Sequence, residues 1–133
     1  MPNLPKSSRP AYLPDITQER KATSDQRLYH SERWQSVRWN QILRVPYCEV
    51  HQSAGVLVDC TQNAPVDHIV PITAGGAELD ERNLMTLCKS CHDRKSGFER
   101  HEKCLVEAQE GENGLIPAEG SKTALIERLK QRL

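Results

Sequence analysis

Cys48-Glu49-Val50-His51 and Cys88-Lys89-Ser90-Cys91 are two ligand-type pairs, each with two residues between its members and separated by a long insertion. A turn of that length lets both side chains of a pair point at one ion, and two such turns complete a tetrahedron of Cys and His donors around zinc. The competing reading makes Cys48 and Cys91 ordinary buried thiols and His51 incidental. Two half-sites of matching spacing favour a structural zinc on Cys48, His51, Cys88 and Cys91. Cys60 is near enough to the first pair to replace His51 as fourth donor, whereas Cys104, His30 and His101 have no ligand-spaced partner.

Between the half-sites, Val66-Asp67-His68-Ile69-Val70-Pro71 is rich in β-branched residues and reads as a short strand ended by proline. Neighbouring side chains on a strand point to opposite faces, so Asp67 and His68 can do different work. The carboxylate can hold a hard divalent ion while the imidazole addresses a water molecule. Thr73-Ala74-Gly75-Gly76 makes a turn, Asn83-Leu84-Met85-Thr86-Leu87-Cys88 reads as a return strand, and Cys91-His92-Asp93-Arg94-Lys95-Ser96 opens a helix that continues to Glu102. Two strands and a helix would bring Asp67, His68 and His92 around one cleft.

The elements that must position these residues fit into one domain of a 133-residue chain. Its hydrophobic share of 37% supports only a modest core, of the size that usually needs a staple. Five Cys, an odd number, argue against a closed disulfide framework, and their mixture with five His argues for metal. No apolar run approaches the ~20 residues that cross a bilayer, and the N-terminus lacks the apolar stretch of a signal peptide, which points to a soluble protein in a reducing compartment with no membrane partner.

Residues 1–22 are proline-rich at their start and read as a disordered or extended tail. From Thr23 to Leu43 the chain lacks Pro and Gly and reads as a helix, with Ser31 a candidate N-cap and Trp34, Val37, Ile42 and Leu43 available to pack. Arg38 and Arg44 would lie on its exposed positions, suited either to phosphate contact or to a solvated face. Residues 105–133 read as a linker, with acids, glycines and Pro117, followed by a short amphipathic helix from Ser121 that carries Leu125, Leu129 and Leu133. That helix suits core packing better than a partner contact. Formal charge totals +0, yet residues 1–47 carry 8 basic and 4 acidic side chains while residues 48–104 carry 6 and 9. Neutrality therefore averages a basic leading segment with an acidic middle that faces metal ions, and does not exclude DNA.

The ordered run Asp67-His68-Ile69-Val70-Pro71, Gly75-Gly76, Asn83-Leu84 and Leu87-Cys88-Lys89-Ser90-Cys91-His92, with Lys95, resembles the HNH nuclease family with zinc-knuckle half-sites, over roughly residues 44 to 100. The resemblance implies an α+β fold: a small ββα-metal (HNH, His-Me finger) core stapled by a structural zinc, with flanking helices; with the leading helix added, the expected nuclease domain spans residues 23–104. It implies His68 as general base, Asn83 as the side chain that braces the loop and orients that base, and Asp67 and His92 as ligands of a catalytic divalent metal. Mg2+ or Mn2+ suits that donor set, with Ni2+ or Zn2+ as softer alternatives. Some relatives carry a further His where this chain has Ser96. Lys95, like Arg38 and Arg44, is a candidate contact for DNA phosphates, or else a solvated lysine.

A neutral imidazole near pH 7 suits activation of water for phosphodiester hydrolysis, and a divalent ion relieves the charge of the transition state. The resulting expectation is a metal-dependent DNA endonuclease that nicks or cuts double-stranded DNA, leaving 5′-phosphate and 3′-hydroxyl ends. By analogy it is a phage or prophage accessory nuclease beside the DNA-packaging machinery in the cytoplasm of a bacterial host cell, with a terminase or another protein as partner. The alternatives are a restriction-type nuclease acting with a partner and a non-catalytic zinc module that binds DNA.

Overall fold

The computed structural model describes residues 24–62 and 65–133. The expected tail over residues 1–22 lies outside the described residues. Two helices lead in, α1 (Ser24–Tyr29) and α2 (Glu32–Arg44). A single helix was expected from the sequence over this stretch. Ser31 divides it: its backbone is extended, its hydroxyl accepts the Trp34 N–H at 3.1 Å, and the same hydroxyl donates to the Leu28 carbonyl at 2.6 Å. One residue thus satisfies a donor that opens α2 and an acceptor that closes α1. α2 buries Trp34 and Ile42 and ends before Pro46, while Leu43, expected to pack, is 62% exposed. It lies about 100° of helix past Ile42, beyond the buried face.

A short helix, α3 (Glu49–Ser53), follows Cys48. β1 (Val66–His68) and β2 (Leu84–Thr86) then pair antiparallel, with Val66 opposite Thr86, Asp67 opposite Met85 and His68 opposite Leu84. The helix α4 (Lys89–Glu102) leaves directly from the second half-site. α2 lies against this hairpin: Trp34 and Ile42 share a cluster with Val66 and Leu84, and the buried Gln41 Nε2 donates to Thr86 Oγ1 at 3.2 Å.

The segment expected to be a linker is instead a hairpin, β3 (Ala108–Gly111) and β4 (Gly114–Pro117), with Glu112 and Asn113 between paired glycines. It is tied to the loop after β1, because Ala77 donates to the Leu115 carbonyl and Leu115 donates to the Gly75 carbonyl, each at 2.9 Å. That loop passes so close to itself that a Cβ on Gly76 would run into the Val70 carbonyl oxygen. A final helix, α5 (Ser121–Lys130), buries Leu125 and Leu129 among Cys48, Val50, Cys60, Ile69, Met85, Leu87 and Cys91. At about 1.5–3 kcal/mol per fully buried leucine, these two side chains make the C-terminal segment part of the core. Among the described residues no helix is long and apolar enough to cross a membrane.

Candidate active site and metal centre

The first site forms where the N-terminal ends of α3 and α4 meet. The donor atoms of Cys48, His51, Cys88 and Cys91 all lie within 4.8 Å of one another. His51 Nδ1 is 3.3 Å from Cys48 Sγ and 3.6 Å from both Cys88 Sγ and Cys91 Sγ. Tetrahedral zinc, with Zn–S near 2.3 Å and Zn–N near 2.0–2.1 Å, requires N to S edges of about 3.6 Å. The donor set therefore fits a structural metal both in chemistry and in spacing. Cys60 is fully buried beside the cluster but is not one of the four donors, so the alternative in which it replaces His51 is not the arrangement found. Burial pushes the Cys60 thiol up to about 11, with the neighbouring Cys48 and Cys88 adding to the shift. Burial likewise pushes Cys91 up to about 12. Desolvation acts upward on Cys88 too, but the Ser90 hydroxyl and the Cys91 backbone N–H bring it below the ordinary thiol value.

The second site is built on β1, the loop that follows it and α4. Asp67, His68, Thr73 and Glu99 line a cleft of 140 Å³ whose rim includes Tyr29, Pro71 and Ile72. The His68 ring is nearly buried and stacks on Trp34, with centroids 5.0 Å apart. Its Nε2 lies 2.8 Å from the Glu78 carbonyl oxygen. A carbonyl can only accept, so Nε2 carries the proton of the neutral ring and Nδ1 keeps its lone pair. Burial, the largest influence, holds the imidazole below its ordinary 6.5 despite opposing contributions from Glu78 and Asp67.

Asn83 is fully buried and spans the loop that carries these groups. Its Oδ1 accepts the Val70 N–H at 2.7 Å, and its Nδ2 donates to the carbonyls of Val70 and Ala77 at 3.0 and 2.9 Å. The Asn83 carbonyl accepts the Ile69 N–H at 2.8 Å, so one residue fixes both backbone and loop immediately after His68.

Lys95 departs from the sequence expectation. Its side chain is 0% exposed, so it is not available as the expected phosphate contact. Instead its Nζ donates to the His68 carbonyl at 2.9 Å and to Glu99 Oε2 at 3.0 Å, and lies 2.8 Å from Asp67 Oδ2. The last contact is at ion-pair distance but outside hydrogen-bond geometry: Asp67 Oδ1 accepts the His68 N–H at 2.9 Å, whereas Oδ2 is buried without a hydrogen-bond partner. Asp67 is thus a hard oxygen donor, the type a divalent cation takes, whose charge is matched in this structure by the Lys95 ammonium. Burial pushes the Glu99 carboxyl up, against the pull of Lys95.

His92, on the first turn of α4, is 34% exposed with Nδ1 3.6 Å from Asp93 Oδ1. It does not join Asp67 in a group of three or more closely spaced donors among the described residues. Neither Arg38 nor Arg44 lines the cleft. Arg44 is held by Gln41 at 3.0 Å and lies 3.4 Å from Glu81, and Arg38 is half-buried. Tyr29, Trp34 and Glu99 are site residues that sequence reasoning missed. Only Glu99 had a signal, its i, i+4 spacing from Lys95.

No curated protein and no solved structure matches the chain. The half-sites, β1, the loop braced by Asn83, β2 and most of α4 fall within one segment, and that segment, residues 46–98, matches the model of the HNH endonuclease family.

Proposed function

We propose that this protein is a metal-dependent endonuclease that hydrolyses phosphodiester bonds of DNA, with His68 as general base. The observation that carries this reading is the pairing, in one cleft of an HNH segment, of an imidazole whose Nε2 is held by a carbonyl, leaving Nδ1 as its basic atom, with the Asp67 carboxylate. His68 Nδ1 takes a proton from the attacking water. The oxygen forms a bond to phosphorus, the bond from phosphorus to the 3′ oxygen breaks, and the departing 3′ oxygen takes up a proton from a water molecule, leaving 5′-phosphate and 3′-hydroxyl ends. Burial favours the neutral ring at pH 7, as a base requires. Asn83 fixes the loop so that the Glu78 carbonyl can hold the ring in one tautomer.

Asp67 and His92 are the residues that would hold a catalytic divalent cation, which when bound offsets charge on the phosphate and on the departing oxygen. Cys48, His51, Cys88 and Cys91 would hold a structural zinc that pins α3 to α4. The order of β1, β2 and α4 supports a ββα-metal core.

The test is supercoiled plasmid incubated with the zinc-loaded protein and a panel of Mg2+, Mn2+, Ni2+ and Zn2+. Nicked or linear product that depends on the added cation and disappears with EDTA is expected. Intact plasmid under every cation would refute the proposal and favour a non-catalytic module.

A further inference from the structure

Beyond the cleft, the C-terminal half of α4 forms one wall of a second and larger depression, of 530 Å³. Pro71, Thr73 and Glu99 line both spaces, so the depression continues directly from the cleft. Its helix wall adds Ser96, Arg100 and Lys103. His92, Ser96 and Arg100 recur at i, i+4 and i+8, a single stripe along α4, and Lys103 follows as the residue that caps the helix.

The charges of this depression are unevenly satisfied. Glu99, its acid, is already engaged by the buried Lys95. Arg100 and Lys103 are exposed and have no ion-pair partner among the described residues. Two unpaired cations facing a groove that runs out of a hydrolytic cleft suit a polyanion. The position of Lys103 adds a second observation. It ends α4 at φ 56°, a conformation that glycine adopts at lower cost, so a long basic side chain is carried where the backbone disfavours any side chain.

We propose that this depression is the channel through which one DNA strand leaves the cleft, with Arg100 and Lys103 on neighbouring phosphates and the hydroxyls of Thr73 and Ser96 completing the polar lining. This inference rests on the nuclease reading above. Cations near a helix C-terminus also complement the helix dipole, which would make them stabilising residues with no role in binding. The two roles separate by experiment.

The zinc-loaded full chain is titrated onto a fluorescent DNA duplex between 50 and 200 mM KCl, without added divalent cation, and its plasmid-nicking activity is measured alongside. For an Arg100→Gln/Lys103→Gln double variant, the slope of log K against log salt should flatten by about 1.8, at roughly 0.9 for each phosphate that is no longer neutralised, and Kd at 100 mM salt should rise roughly tenfold. Lys103→Gly should bind more weakly while its Tm stays level or rises, the opposite of a purely structural role. Lys130→Gln on α5, outside the groove, should leave the slope unchanged. A double variant that nicks poorly but keeps the wild-type slope would overturn the channel, as would an equal change in Lys130→Gln. Wild type that nicks plasmid while the double variant binds normally refutes the channel and leaves the nuclease reading standing. Wild type that neither nicks nor binds refutes both.

Discussion

Replacing Lys95 by methionine keeps most of the side-chain volume but removes the only cation within ion-pair distance of Asp67 and Glu99 among the described residues. Removing one member of a buried ion pair costs about 3–5 kcal/mol, because the remaining charge stays desolvated and unmatched. Here two carboxylates would remain, at 18% and 17% exposure, close enough to repel. Residual access to water favours the lower end, so Lys95→Met should lose about 3 kcal/mol in urea unfolding at pH 7. Little of that would come from packing, since a swap of near-equal volume is tolerated.

The loss should shrink as pH falls. Burial already raises the Glu99 carboxyl above its ordinary 4.5, and removing Lys95, which opposes that rise, moves it higher still. A group whose folded pKa is raised gains folded-state stability as pH drops through that value, so the variant recovers relative to wild type on acidification. Paired urea titrations at pH 7 and pH 5 test both parts. A loss below about 1 kcal/mol at pH 7, or an equal loss at both values, would refute the view that Lys95 acts as an internal counter-ion rather than as filler.

Asn83→Ala should cost about 3 kcal/mol or more, since it orphans the buried Val70 N–H and two carbonyls at about 1–3 kcal/mol per unsatisfied group; urea unfolding measures the loss, and hydrogen exchange at Val70 locates it. Purified wild type should contain about one tightly held zinc by elemental analysis. Cys88→Ser should lose that zinc and unfold or aggregate, and a strong chelator should lower the Tm of wild type alone. The pH profile of DNA cleavage should keep its acidic limb below the ordinary imidazole value of 6.5, because burial holds His68 there and a base must be neutral to act. A limb above 6.5 would contradict the buried environment assigned to that ring.

The half-sites were legible in the sequence because two-residue spacing leaves each pair little choice but to face one ion. The β1–β2 hairpin was legible from the β-branched run before Pro71 and from the Gly-Gly turn. Lys95 was not, since a lysine three residues after His92 reads as a surface group by composition. Its helix face carries the missing signal: Cys91, Lys95 and Glu99 are spaced by four, and Cys91 already pointed inward as a ligand. The β3–β4 hairpin was hidden because β3 is exposed along most of its length and so lacks the alternation that marks a half-buried strand. Its turn sequence, Gly111-Glu112-Asn113-Gly114, was the available clue. Packing of the leading helix through Trp34 was legible from its apolar positions, but nothing in its sequence revealed that the indole stacks on His68.

The claim that most depends on this geometry is that His68 is the base. Nicking of supercoiled plasmid should be compared between wild type and His68→Ala at matched zinc content, in Mg2+ and in Mn2+, after circular dichroism shows both proteins folded. Loss of nicking by at least about a hundredfold in the variant is expected for a general base. Unchanged nicking by folded, zinc-loaded His68→Ala would contradict the account at its centre.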